Sequence, residues 1–272
     1  MDIIIEFFKN CFTSLDGDIA NITNILKEDW FRNGNDFYDL ARYIQWVVTP
    51  IALTIVTICF LIEFLKITIQ MDVLKWEYGL RCFFKLVFAK VCIDLSTDLL
   101  GAIYITCAEW IDEVGTGTVH VGQTVWTQLE SSFTSAGLLE SIGFFLAGGL
   151  IVIAIKIITI VIQVMAYARK FEISILLAIA PLPCAFLPLE DGGTSRIPKK
   201  YIMSFASSCL AGFFMIISVR FYAELVNGTI IQNINNMSDF ISKIGQVLLA
   251  TLVLVMAVIK SGSWASKVLD VG

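Results

Sequence analysis

Between Ser141 and Ala168 the chain carries one charge, Lys156, in an otherwise apolar run. A bilayer core takes about 20 apolar helical residues to cross, so this run predicts a membrane span. The charges on either side orient it. The segment 108–141 holds five acids (Glu109, Asp112, Glu113, Glu130, Glu140) and no Lys or Arg, whereas Arg169 and Lys170 follow the run at once. Basic residues collect on the cytoplasmic side, so the acidic loop is predicted outside and Arg169 inside.

Composition agrees with a polytopic membrane protein. The chain is 57% hydrophobic and 16% charged with mean hydropathy +0.79, more apolar and less charged than a soluble domain. Its 272 residues, divided among several spans, leave little for a separate catalytic head, and one membrane domain is expected over 44–272. A net charge of −5 argues against a general nucleic-acid-binding surface. Seven scattered cysteines form no CxxC and have no histidines at metal-ligand spacing, so they read as small apolar helix residues. Cys11 and Cys107 both fall on the predicted outer side, but spacing alone does not pair them. The N-terminus has acids where a cleavable signal peptide would be basic, and it is expected to be retained.

Residues 1–43 place apolar clusters (Ile3, Ile4, Phe7, Phe8; then Ile19, Ile22, Ile25, Leu26) at helical spacing among charges. They predict an amphipathic outer-face region, lying on the membrane or against partner helices. Five crossings are predicted near 44–68, 82–107, 142–168, 201–225 and 244–262, with the N-terminus outside and the C-terminus cytoplasmic. Segment 173–189 is apolar enough to cross but is broken by Pro181, Pro183 and Pro188, and a basic loop with Arg196, Lys199 and Lys200 follows. A full crossing would put those bases outside. A re-entrant or interfacial segment removes the conflict, because irregular backbone at membrane depth is tolerated where protein covers it. No internal repeat is visible, which weakens an inverted-repeat transporter.

The second candidate span, the least apolar, is interrupted by charge and is either a span with a polar face or a buried soluble-type helix. Lys90, Asp94, Thr97, Asp98 and Gly101 share one helical stripe. A charged group at mid-bilayer costs roughly 2.5–3.5 kcal/mol even on the lenient insertion scale, so this stripe is expected to avoid lipid. It either lines a water-filled path or ion site, with Asp94 and Asp98 as its carboxylates, or is satisfied by a Lys90–Asp94 pair against a neighbouring helix or subunit. Ser204, Ser208 and Gly212 repeat small residues at every fourth position of the fourth span, as Gly143 and Ala147 do in the third, a pattern that lets helices approach closely within or between subunits. Arg220 and Glu224 have spacing to pair. His120, the only histidine, has no nucleophile frame or second ligand near it, and Gly115-Thr-Gly117 lacks the strand–helix context of a phosphate loop. No catalytic, cofactor-binding or metal residue is assigned, and the chain is not expected to be an enzyme.

After the long span, Arg169-Lys-Phe-Glu-Ile-Ser-Ile-Leu-Leu-Ala-Ile-Ala-Pro-Leu-Pro-Cys-Ala resembles the TrbL-like polytopic subunit of bacterial type IV secretion and conjugation machines, in which an Arg-ended helix leads into Ala-Pro-x-Pro-x-Ala. The matching positions are Arg169, Glu172, Ala178, Ala180, Pro181, Pro183 and Ala185. The resemblance implies a non-enzymatic, all-α subunit of the bacterial plasma membrane, homo-oligomeric around the translocation path. Its implied partners are the cytoplasmic ATPases, the outer stalk or pilus components, membrane lipid and transported single-stranded DNA with its relaxase. The short chain looks most like Gram-positive forms. No cofactor is implied beyond a bound phospholipid. Two readings stand beside this one: a small-solute or ion transporter using the intramembrane Asp residues, and a non-conducting membrane scaffold or immunity protein.

Overall fold

The computed structural model describes residues 2–28, 36–70, 76–115, 123, 127, 138–189, 196–230 and 237–270. It is 94% helical, with no strand among the described residues. In chain order the helices are α1 (Asp2–Lys27), α2 (Asp36–Gln70), α3 (Trp76–Asp94), α4 (Ser96–Gly115), α5 (Leu138–Ala178), the single turn α6 (Pro181–Cys184), α7 (Arg196–Leu225), continued by a π-helical turn Val226–Ile230, and α8 (Met237–Val268). Four are long and apolar enough to cross a membrane, over Asp36–Lys66, Val152–Ala178, Arg196–Gly228 and Gly245–Val268.

Five crossings were expected, and the stretch 82–107 is not among these four, because its charges lower its hydropathy; three boundaries also differ from the sequence expectations. The first spanning helix begins at Asp36, where Asp36 and Asp39 in its first turn complement the helix dipole. The expected single helix over 82–107 is two, α3 and α4, which meet at Leu95. Ser96 Oγ donates to the Ile93 carbonyl at 2.8 Å there and accepts from Gln45 Nε2 at 3.3 Å. The third span does not stop at Arg169. α5 runs 41 residues to Ala178, about 60 Å at 1.5 Å per residue and so longer than the hydrocarbon core, and it ends at the prolines rather than at the charges.

Hydroxyls within these helices bond to their own backbone. In α2, Thr49, Thr54, Thr57 and Thr68 each donate to the carbonyl four residues back, at 2.8–2.9 Å. A threonine that spends its hydroxyl this way can face lipid without an orphaned donor.

The residues group into two compact units. One comprises 1–28, 108–168 and 211–264; the other comprises 29–107, 169–210 and 265–272. In the first, Ile19, Ile22, Ile25 and Leu26 of α1 join Ile111 of α4, Ile155 and Ile162 of α5, Met215 and Val219 of α7 and Leu254 of α8 in one core. The N-terminal helix therefore packs among membrane helices along its second half, the partner-helix alternative for this amphipathic segment. Its apolar stripe at i, i+3 and i+7 is what is buried. In the second unit, Ala52 and Val56 of α2, Ala89 and Ile93 of α3, and Cys184 and Ala185 after α5 form the core.

Candidate functional site

The motif that ends α5 is a buried, self-satisfied turn. Pro181 and Pro183 bring no N–H, and the chain beyond Ala178 cannot continue the α5 ladder. Ile179 makes the last four-residue bond, to the Ile175 carbonyl at 3.2 Å, and donors after it reach back three residues: Ala180 to Leu177, Leu182 to Ile179, Ala185 to Leu182, Phe186 to Pro183 and Leu187 to Cys184, at 3.1–3.3 Å. With its backbone paired internally, the turn can be buried. It packs on both α2 and α3. Ala52, Ala89 and Ala185 each have 0% exposure, so three alanines bring the backbones together where larger side chains would hold them apart. Ala52 and Ala89 lie within the predicted spans 44–68 and 82–107. The expected re-entrant segment 173–189 is thus divided: 173–178 is the last part of α5, and the proline turn follows it.

The helix before this turn is tied down by the motif's charges. Arg169 Nη1 meets Glu172 Oε2 at 2.8 Å, and the other oxygen of Glu172 accepts from Ser208 Oγ at 2.8 Å. Tyr201 donates its hydroxyl to the Leu176 carbonyl. Motif residue Glu172 thus links Arg169 to Ser208 of the small-residue stripe. Ser204 supplies a carbonyl to Ser208, while Ser207 Oγ lies 3.2 Å from Ser266 Oγ. Ala178, Ala180 and Pro181 are buried, and Pro183 is half-buried. Gly212 is not brought to this site. A methyl added there would meet Ile111 and Leu26 at 3.6 and 3.8 Å, ordinary contact, so the position does not require glycine. Gly115 does need its missing side chain, because a Cβ would lie 2.8 Å from Thr23 Cγ2.

Intramembrane charge is handled in two contrasting ways. Lys156, the lone charge of the opening run, pairs with Asp18 of α1, and Gln163 Nε2 reaches the Asp18 carbonyl at 3.5 Å. Nearby in chain order, Lys27 pairs with Asp112 at 2.5 Å, Asp16 accepts from the Gln123 N–H at 2.9 Å, and Arg220 Nε donates to the Val114 carbonyl at 2.9 Å. Tyr222 and Thr251, both buried, share a hydroxyl contact at 3.1 Å. By contrast Lys90, Asp94 and Asp98 are exposed, and only Thr97 of the stripe's side chains is buried. Among the described residues none of the three charges forms an ion pair, so the i,i+4 Lys90–Asp94 pair is not made.

Two features escaped sequence reasoning. Asp18 was one of several acids in an amphipathic segment, and nothing local marks it as the counter-ion of a lysine 138 positions away. Glu63 is 6% exposed on α2, and its Oε2 has no hydrogen-bond partner among the described residues. Its signal was visible, since Ala52, Val56, Cys59 and Glu63 recur on one helix face. His120 and Gly117 lie outside the described residues, as do the surroundings of Gly143 and the side chains of Ala147 and Cys11. Cys107 is a buried free thiol. No cluster of His, Cys, Asp or Glu fit for a metal occurs among the described residues.

Residues 29–181, over half of the chain, match the family described as TrbL/VirB6 plasmid conjugal transfer like protein. The matched stretch runs from just before α2 through Pro181 of the buried turn. Comparison with curated proteins and with solved structures gives no match.

Proposed function

The chain belongs to the TrbL/VirB6 plasmid conjugal transfer-like family, and from that premise we propose that several copies of it surround the translocation path of a conjugative transfer machine. The family is one of structural secretion-system subunits in the bacterial membrane, and the four long apolar helices fit a multi-pass member. The single observation that carries the oligomeric reading is the contrast between the two sets of charge. Lys156 is neutralised by the chain's own α1, whereas Lys90, Asp94 and Asp98 are exposed on helices predicted to cross the membrane. Lipid cannot take that flank without a cost of several kcal/mol, so it faces another copy or the aqueous path that the copies enclose.

In this reading α3 and α4 turn their charged flank inward. The buried proline turn and the bases Arg196, Lys199 and Lys200 form the cytoplasm-facing element that meets the ATPases, with the segment 108–141 outside towards stalk or pilus components. The transported species is single-stranded DNA with its relaxase.

The test is cell-to-cell transfer frequency from donors lacking the gene, complemented with the wild-type copy or with Asp94→Asn/Asp98→Asn. Transfer is expected to be restored by the first and to stay near the deletion level with the second, at equal amounts of protein in the membrane fraction. Full transfer by the double variant removes the inward-facing stripe. Unchanged transfer by the deletion strain itself removes the conjugative role and favours the solute-transporter reading of the same two carboxylates.

A further inference from the structure

Between the second half of α7 and the facing part of α8, both in the first compact unit, runs a groove of about 320 Å³ that the oligomeric reading leaves unused. Its walls include Phe214, Ile217 and Phe221 of α7 and Val253, Ala257 and Trp264 of α8. Two hydroxyls also reach it, and both are spent. Ser218 Oγ donates to the Phe214 carbonyl at 2.8 Å, and the Tyr222 hydroxyl lies 3.1 Å from that of Thr251. The walls therefore offer a ligand carbon, and a polar ligand would lose its hydrogen bonds there. From Ala250 to Trp264 the lining follows about 20 Å of helix, so a volume of this size is long and narrow. One end of the slot carries charge. Lys260 comes seven positions after Val253, three after Ala257 and four before Trp264, which puts it on the same face of α8, beside the rim. It is exposed and, among the described residues, forms no ion pair.

We infer that this slot holds an anionic phospholipid of the bilayer, with one acyl chain between α7 and α8 and the headgroup phosphate at Lys260, beside Trp264. Shape separates the lipid from a second copy of the chain. A helix is about 10–12 Å across with its side chains and would rest on the rim, whereas a hydrocarbon chain can lie along a slot that is long and narrow. Position along the helix suits the same ligand. The predicted span 244–262 ends near Lys260 and Trp264 follows it, so the charged end of the slot falls at the membrane boundary, where indole rings collect at headgroup level with their N–H towards water. From there the carbon walls lead back along the span into hydrocarbon. Charge complementarity selects the headgroup. Lys260 can carry its ammonium to the headgroups on a flexible apolar stem. A zwitterionic headgroup would bring an ammonium of its own to that spot, and an anionic one brings only the opposite charge. The predicted orientation puts this end on the cytoplasmic side, where basic groups beside membrane helices hold anionic headgroups.

The experiment is native mass spectrometry of the purified full-length protein in detergent, titrated with phosphatidylglycerol or with phosphatidylcholine of the same acyl chains. The wild type is expected to retain phosphatidylglycerol in preference to phosphatidylcholine. Lys260→Gln is expected to lose about fivefold in apparent affinity for phosphatidylglycerol, the equivalent of the roughly 1 kcal/mol that one basic group contributes near anionic lipid, and Lys260→Arg to keep it. Ala257→Phe, which fills the slot, is expected to lower retention of both lipids. Lys9→Gln, which removes an exposed base of α1, is expected to bind as the wild type does. If Ala257→Phe loses helicity by circular dichroism, Val253→Trp at the rim, where the side chain is 64% exposed, carries the same expectation. Equal retention of the two lipids by the wild type, undiminished phosphatidylglycerol binding by Lys260→Gln or by a folded slot variant, or an equal loss in Lys9→Gln overturns the assignment. A slot variant that changes the oligomer distribution without changing lipid binding also overturns it, in favour of a second copy as the occupant.

Discussion

At the scale of the residue, the chain separates charges it neutralises itself from charges it leaves for others. Lys156 lies near the middle of the otherwise uncharged run 141–168, where a bare ammonium is costly. Asp18 answers it, and each of the two side chains retains about a third of its exposure or less, 27% for Lys156 and 32% for Asp18. Breaking a pair that is partly withdrawn from water leaves the survivor uncompensated, whereas removing both partners does not. A double-mutant cycle therefore separates this contact from general damage. Asp18→Asn and Lys156→Met are each expected to lower the thermal stability of the purified protein, and the double variant to lose less than their sum, with a coupling of about 0.5–3 kcal/mol. Additive losses would mean that the pair contributes nothing beyond its separate side chains. Arg169 and Glu172 differ in kind: Glu172 is a junction, holding Arg169 with one oxygen and Ser208 with the other, so a change there touches two helices.

At the scale of the element, the proline turn explains why its residue types occur together. The prolines stop α5, the three-residue hydrogen bonds close the backbone on itself, and the alanines let the closed turn lie against α2 and α3. Ala185→Leu would force the extra carbons of an isobutyl group into a site with 0% exposure. Overpacking of that kind costs about 1–3 kcal/mol, so a drop in melting temperature and in transfer is expected for Ala185→Leu, while Ala185→Gly is milder. Equal behaviour of the two would show that the turn is not confined. Much of this element was legible in advance. Three prolines in an apolar segment predicted a break in the helix, and α5 does end just before the first of them. The end of α5 was not legible from charge, because Arg169, Lys170 and Glu172 mark a membrane edge but do not disturb helical backbone. The joint at Leu95 was hidden for a related reason. No Gly or Pro announces it, and the Ser96 hydroxyl that bonds back to Ile93 takes its other partner, Gln45, from a different helix.

At the scale of the whole molecule, the exposed surface of a membrane protein is read by chemistry rather than by amount. Large apolar side chains are exposed throughout α2, α3, α5 and α8, and lipid accounts for them without any protein partner. Charge on a spanning surface has no such default. Periodicity showed the stripe at Lys90, Asp94 and Asp98 but not its exposure, which depends on which face of α3 the alanine contacts of α2 and the proline turn consume. That consumed face, at Ala89 and Ile93, leaves the charges on one flank and the open groove lined by Phe84 and Phe88 on the other. The two flanks make opposite predictions for cross-linking. Ile105, 46% exposed, shares the charged flank, and Phe88 belongs to the groove. In native membranes, Ile105→Cys treated with a short membrane-permeant bis-maleimide is expected to give a covalent dimer, in excess of the background set by the native thiols of the unsubstituted protein. Phe88→Cys is expected to stay at that background and to react with single maleimides instead. A dimer through Phe88 and none through Ile105 would invert the arrangement, putting the groove between copies and the charged flank towards some other subunit, because only protein or water can cover three charges that the chain itself leaves open.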